Sequence, residues 1–311
     1  MSKVPVSPTG EVATTIEPVI SDSAPRIPVN WWGIITRALV AFVMLMASNF
    51  IRIPLHELPG AQRNDILGIW INAAIFLVTP VTAVLILIVW MQWIERRSLR
   101  SIGFGDPLRI LPGILGGTLV VAVPMLGAWG ILLAISEPLT PVIGDNNQGL
   151  NDPSMGTMLA GVVFVIVRSY FLQGIPEELI FRGWLFSTTR GRPIFTVVWT
   201  TFAFTIPHLL SSGGQQNAQE FVLYLAVPLG MAVLAGAVVV WKGSVWWAAG
   251  THGGMHGVMA LLSKLFPVDL GVTAWMAIGF SQIVVGIAII AWWHFKNKKL
   301  KATGSYMSAS Q

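Results

Sequence analysis

Two adjacent carboxylates and a guanidinium stand in the stretch Gly174-Ile175-Pro176-Glu177-Glu178-Leu179-Ile180-Phe181-Arg182. Their surroundings are those of a bilayer span: Met158 to Val167 is almost wholly apolar, and Gly183-Trp184-Leu185-Phe186 follows. Ionised groups at such depth cost at least a few kcal/mol each (about 2.5 on insertion scales), so they face a protein interior or a wet cavity. Glu178 and Arg182 are four residues apart, acid first, the favoured order for a pair on one helical face. Glu177 lies about 100° round the helix and has no such local partner. The spacing therefore assigns Glu178 and Arg182 to a structural pair and Glu177 to reactive chemistry. The alternative is that all three only hold helices together.

Imidazoles are the second ingredient. Of five histidines, His208, His252 and His256 fall inside apolar stretches. Phe204-x-x-x-His208 puts ring and imidazole on one face, so that Phe204 can brace His208. The bland reading of His208 is a buried side chain bonded to a carbonyl freed by Pro207. His252-x-x-x-His256 puts two imidazoles on one face, at a spacing that suits metal chelation or a pair of interhelical hydrogen bonds. His294 reads as an interfacial residue, and His56 falls in a loop with no assigned role. A carboxylate with an imidazole can activate water, each accepting protons in turn. Further imidazole N–H groups can donate to an oxyanion. Such an assembly would hydrolyse an amide inside the membrane. Ser211 and Ser212 lie near His208 without a positioned acid, which leaves a serine nucleophile poorly supported.

These groups have to be carried by membrane-spanning helices. The chain has 311 residues, 54% hydrophobic and 11% charged, whereas about 25% charged is usual in soluble domains. It has no cysteine, which excludes disulfides, thiolate metal sites and a cysteine nucleophile. The net charge of +5 is explained by membrane topology, and no nucleic-acid partner is expected. Runs of about 20 apolar residues mark eight spans, near 33–51, 68–94, 110–135, 157–187, 194–210, 220–241, 244–262 and 272–295. The fourth is too long for a straight crossing and must tilt, kink near Gly174 and Pro176, or run on past the bilayer. The fifth and seventh are short and contain histidine, so hydropathy alone would miss one or both. Trp31-Trp32, Trp90, Trp93, Trp246-Trp247 and Trp292-Trp293 fall near span ends, as interfacial tryptophans do.

Residues 1–30 read as a disordered cytoplasmic tail, 31–296 as the transmembrane domain and 297–311 as a basic cytoplasmic tail. No cleavable signal peptide is expected. Basic residues cluster in the second connection (Arg96, Arg97, Arg100, Arg109), the fourth (Arg190, Arg192), the sixth (Lys242) and the C-terminal tail. That alternation places both termini in the cytoplasm. Arg52 and Arg63 in the first connection are discordant, and Lys264 is a lesser discord. The segment from Arg96 to Pro107 suits an amphipathic stretch on the inner leaflet. Counting back from the basic ends, Glu178 lies about 18 Å deep, His208 about 22 Å, His252 about 15 Å and His256 about 21 Å. The acids and the three imidazoles thus meet near mid-bilayer. No internal repeat is evident, which argues against many carrier folds.

Together, Glu177-Glu178-x-x-x-Arg182, Phe204-x-x-x-His208 and His252-x-x-x-(polar) resemble the three motifs of the CAAX prenyl protease 2-like family, also called CPBP or Abi intramembrane endopeptidases. Arg100-Ser101-Ile102-Gly103-Phe104 and Lys242-Gly243-Ser244-Val245-Trp246 resemble it too, and the likeness covers roughly residues 95–260. The resemblance implies an all-α bundle of eight helices in a prokaryotic plasma membrane. It implies an endopeptidase acting on membrane-associated or lipid-anchored peptides. By motif position Glu177 activates water, His208 assists, and His252 and His256 bind the oxyanion; Glu178, Arg182 and Phe204 support them. The family's last position is usually Asn, and here it is His256. Glu177, His208, His252 and His256 could then also ligate a divalent metal such as zinc. The expectation is no cofactor, or that metal. The rival readings are a non-catalytic immunity or scaffold protein, and a proton-coupled carrier using the Glu/His cluster as a relay.

Overall fold

The computed structural model describes residues 26–103, 107–135, 154–211 and 213–302. Most of the N-terminal tail, the third connection, Phe104, Ser212 and the end of the basic tail lie outside the described residues. Among those described, every regular element is helical. Seven stretches are long and apolar enough to cross a membrane. We call them α1 (Trp31–Glu57), α2 (Ile66–Glu95), α3 (Leu99–Ile135), α4 (Met155–Thr188), α5 (Pro193–Leu210), α6 (Ala218–Lys242) and α8 (Val272–Lys299). The eighth, α7 (Val245–Leu265), has the length but not the hydropathy, because its middle is Gly250-Thr251-His252-Gly253-Gly254. Eight helices are thus present, as the sequence leads one to expect, and the one that carries two of the histidines escapes a hydropathy count.

The bundle turns apolar side chains outward, as lipid contact requires. Leu115, Leu119, Val123 and Leu126 of α3 are more than half exposed, while Val121, Met125 and Ala128 of the same helix are fully buried. Trp31, Trp32, Trp93 and Trp292 stand out from the ends of their helices. Trp246 departs from that pattern and is only 6% exposed, packed inward against Gly113.

Small residues let α7 lie against its neighbours. A Cβ on Gly250 would sit 2.3 Å from the Ile114 carbonyl oxygen of α3. One on Gly253 would sit 2.3 Å from the Tyr170 ring of α4. Only glycine permits that approach, the usual device for backbone contact between membrane helices. The contact is fastened by Thr118 of α3, whose hydroxyl donates to the Ile114 carbonyl at 2.8 Å and lies 2.8 Å from the Tyr170 hydroxyl.

The length of α4 is resolved by wide turns. Its α-helical opening, Met155–Ile166, passes into π-helical turns over Val167–Gly174, one α turn over Ile175–Glu178, and π-helical turns again over Leu179–Leu185. Such π segments are uncommon and concentrate at functional sites. Here they bracket the acid pair.

A second buried ion pair ties α1 to α2. Arg37 Nε donates to Glu95 Oε1 at 2.7 Å and Nη2 to Oε2 at 3.1 Å, with both side chains fully buried. The same guanidinium donates to the Ile27 carbonyl at 2.7 Å, and Trp184 Nε1 of α4 donates to Glu95 Oε1 at 3.3 Å. The pair therefore clips the entry to α1 onto the helix that carries the acids.

The discordant arginines of the first connection are also accounted for. Arg63 pairs with Asp65, and that hydrogen bond, with the Gly68 N–H, holds the Asp65 carboxyl down to about 2. Asp65 in turn caps α2 through the Gly68 N–H at 3.0 Å. Arg52 Nη1 donates to His56 Nε2 at 3.0 Å, and His56 Nδ1 donates to Asn72 Oδ1 at 2.9 Å. Both arginines are engaged locally.

Candidate active site

Three helices deliver the polar groups to one place. Helix α4 supplies Glu177, Glu178 and Arg182, α5 supplies Phe204 and His208, and α7 supplies His252 and His256. Glu178 is fully buried and meets Arg182, with Arg182 Nε 3.3 Å from Oε2 and Nη1 3.4 Å from Oε1. The expected pair is present, but it has a third member. His252 Nδ1 lies 3.0 Å from Glu178 Oε1. A carboxylate only accepts, so the imidazole donates from Nδ1. Glu178 therefore anchors both a cation of its own helix and a histidine of α7.

Phe204 is the apolar hub of the cluster. Its ring centroid is 4.6 Å from that of His208 and 5.8 Å, edge-on, from that of His252. The Arg182 guanidinium carbon lies 4.5 Å from the same ring centroid, a cation–π contact. Phe181 closes the other side at 5.1 Å. One fully buried aromatic ring thus sets the spacing of three polar side chains.

The orientation of His208 follows from its proline. Helix α5 tightens to a 3-10 turn over Ile206–Leu210. Pro207 brings no N–H to that turn, and the Phe204 carbonyl is met instead by the imidazole, Nδ1 to oxygen at 2.8 Å. A carbonyl accepts, so Nδ1 carries the proton and the neutral ring keeps its lone pair on Nε2. The local bond to a carbonyl thus leaves Nε2 without that commitment.

Glu177 stands among charged groups without a bonded partner for one of its oxygens. One of its carboxylate oxygens, Oε2, is cut off from solvent and has no hydrogen-bond partner. It feels the charges of His252, Glu178 and Arg182 without a direct bond to them. His256 is half-buried on the same face of α7, with its ring centroid 5.4 Å from that of His252. His56 and His294 stand elsewhere, His56 in the last turn of α1 and His294 at the exposed end of α8.

Among the described residues no three His, Cys, Asp or Glu side chains group closely enough to hold an ion. Glu177, His208, His252 and His256 surround a common region but do not form a ligand cage, and His252 Nδ1 is committed to Glu178.

Several neighbours of the cluster were not legible from the motifs. Tyr224 of α6 lies within electrostatic reach of Glu177, and Tyr170 of α4 packs on Gly253. Arg168, an exposed cation within the apolar run of α4, bears electrostatically on His256. Its position inside a predicted span was the signal available for it.

A family model described as Rce1-like, type II CAAX prenyl endopeptidase Rce1-like, matches residues 159–258. Over that segment the chain is Rce1-like. The matched residues run from α4 through α7 and include every residue of the cluster. No curated protein matches the chain. Over residues 159–258 the chain is thus similar to the CAAX-type prenyl endopeptidases, and its apolar helices are those of an integral membrane protein.

Proposed function

We propose that the protein is a glutamate-type intramembrane endopeptidase that cleaves a membrane-associated or lipid-anchored peptide. The observations that carry this reading are the unpartnered Glu177 oxygen within electrostatic reach of His252, and a further histidine, His208, whose Nδ1 is engaged by the Phe204 carbonyl so that Nε2 keeps its lone pair. In this scheme a water between them loses a proton to Glu177, with His208 Nε2 as the second acceptor. The hydroxide oxygen attacks the scissile carbonyl carbon. His252 and His256 donate to the oxyanion, and the proton held by Glu177 passes to the leaving amine as the C–N bond breaks. Because His252 Nδ1 already donates to Glu178, its oxyanion bond comes from Nε2–H.

No step of this scheme passes through a metal ion. The spread of the four candidate ligands favours the water-and-carboxylate route over zinc. The arginine-bearing end of the bundle is taken to face the cytoplasm, by the excess of basic residues there.

The test is a peptidase assay in liposomes, using quenched prenylated and unprenylated peptides, with metal analysis and a chelator arm. Cleavage that survives chelation and is abolished by Glu177→Gln is the expected result. Cleavage that tracks bound metal would overturn the proposed mechanism, and absence of any cleavage with a folded protein would favour the scaffold reading.

A further inference from the structure

Two sequence stretches of the family resemblance have no part in the proposed reaction: Arg100-Ser101-Ile102-Gly103 and Lys242-Gly243-Ser244. The fold brings them together at the arginine-bearing end of the bundle. Arg100, Arg109, Arg190 and Ser244 line one cavity of about 530 Å³, and among the described residues no carboxylate lines it. Arg97 is close enough to Arg190 for the two cations to repel. Arg190 donates to the Ser101 carbonyl at 3.0 Å, which fixes its guanidinium at the rim.

The floor of the cavity is equally suited to an anion. Ser244 is the N-cap residue of α7, yet its hydroxyl makes no capping bond. It is only 9% exposed, and its Oγ has no hydrogen-bond partner. A buried hydroxyl without a partner is costly unless something accepts or donates there. Behind it stand the first-turn N–H groups of a 21-residue helix, whose positive end favours phosphate. Gly243, at φ +66°, is the sharp turn that delivers Ser244 to this position.

A second cavity of about 300 Å³ continues inward from the first and shares Gly103, Arg190 and Gly243 with it. Its walls are mostly apolar, among them Ile102, Val239, Val240 and Trp293, and it reaches Arg182. A cationic mouth opening onto an apolar slot fits an amphiphile with an anionic head. Free phosphate would leave the slot unused.

We propose that this composite cavity binds the phosphodiester headgroup of an anionic phospholipid. Arg100, Arg190 and the Ser244 hydroxyl hold the phosphate oxygens over the N-terminus of α7, and an acyl chain enters the apolar slot. Guanidinium forks suit phosphate geometry, and basic pockets between membrane helices take lipid headgroups. The headgroup end of the site lies apart from the Glu/His cluster, which the inner slot approaches only at Arg182, and its occupancy does not depend on whether the protein cleaves peptides.

Native mass spectrometry of the full chain in detergent tests this, with dioleoyl phosphatidylglycerol, dioleoyl phosphatidylcholine and inorganic phosphate as probes. The wild-type protein should retain phosphatidylglycerol and lose phosphatidylcholine. Arg100 is exposed and Ser244 makes no cap bond, so Arg100→Gln with Ser244→Ala should fold normally and weaken phosphatidylglycerol binding about 10-fold or more. Lys298→Gln, at the same end but outside the cavity, should bind as the parent does. Arg190→Lys serves as a second variant that keeps the charge but loses the fork, and should weaken binding less. Equal retention of the two lipids, or undiminished binding by the double variant, would overturn the proposal. So would complete displacement of the lipid by millimolar inorganic phosphate, which would assign the cavity to a free anion. Displacement by a peptide with a free C-terminal carboxylate, but not by its amide, would assign it to a peptide and overturn the lipid reading as well.

Discussion

His252 Nδ1 and Glu178 Oε1 meet at 3.0 Å across the interface between α7 and α4. The bond makes Glu178 more than the counter-ion of its helix neighbour Arg182. One carboxylate fixes both the buried cation of the acid helix and the histidine assigned to the oxyanion.

Glu178→Gln should therefore damage two things at once. It strands the buried Arg182, which costs about 3–5 kcal/mol when one partner of such a pair is removed. It also removes the carboxylate to which His252 Nδ1 donates. Glu177→Gln should leave the thermal midpoint near that of the parent and reduce cleavage by roughly 10²–10⁴, the range for a general base. Thermal unfolding in detergent, paired with the liposome assay, separates the two acids. A stable Glu178→Gln beside an unstable Glu177→Gln would reverse their roles.

The ion pair between Arg37 and Glu95 makes a stability prediction far from the chemistry. Arg37→Ala should destabilise by about 3–5 kcal/mol, because it leaves Glu95 buried without its cation. The double change Arg37→Met with Glu95→Leu should recover most of that loss, since an apolar pair of similar volume avoids the desolvation cost. If the double variant is no better than the single one, the hydrogen bonds from Arg37 to the Ile27 and Pro28 carbonyls are what matter.

These two pairs also mark the limits of what could be read from the chain. The acid and histidine motifs, the eight spans and the common depth of the polar groups are local properties of composition and helical rise. They are legible because a lipid environment leaves few alternatives to helices. Arg37 and Glu95 are 58 residues apart, and nothing in the hydropathy of either stretch pairs them. Glu178 and His252 are 74 apart, and the i to i+4 rule reports only the Arg182 contact. The π turns of α4 were equally hidden: the helix is widened to fit its neighbours, and the sequence shows only that it is too long. Trp246 was read as interfacial by its place near a helix end, whereas packing against Gly113 buries it.

Close approach at Gly253 is a third testable feature. A methyl group there would meet the Tyr170 ring at 2.3 Å, and the ring is held by its bond to Thr118. Gly253→Ala should cost about 1–3 kcal/mol by overpacking and displace His252 from Glu178. Combining it with Tyr170→Ala should relieve part of that cost, giving a non-additive cycle in thermal unfolding. Additive effects would mean that the two residues do not press on one another.

The last prediction concerns His256, where the chain has an imidazole in place of the family's usual Asn. Two mechanisms make opposite demands on it. An oxyanion donor needs one N–H, which an Asn amide also supplies. On that account His256→Asn keeps most activity, while His256→Ala loses about 10²–10³ in rate, the usual cost of one donor. A zinc ligand instead needs an imidazole lone pair, for which Asn is a poor substitute, so His256→Asn would lose metal and activity together. Acid separates them further: a ligand histidine releases its metal on protonation, whereas a donor histidine still donates. The ring of His256 lies 5.4 Å from that of His252, and no three potential ligands group among the described residues. The donor account is therefore the expected one. An inactive His256→Asn variant that has also shed stoichiometric metal found in the parent would refute it.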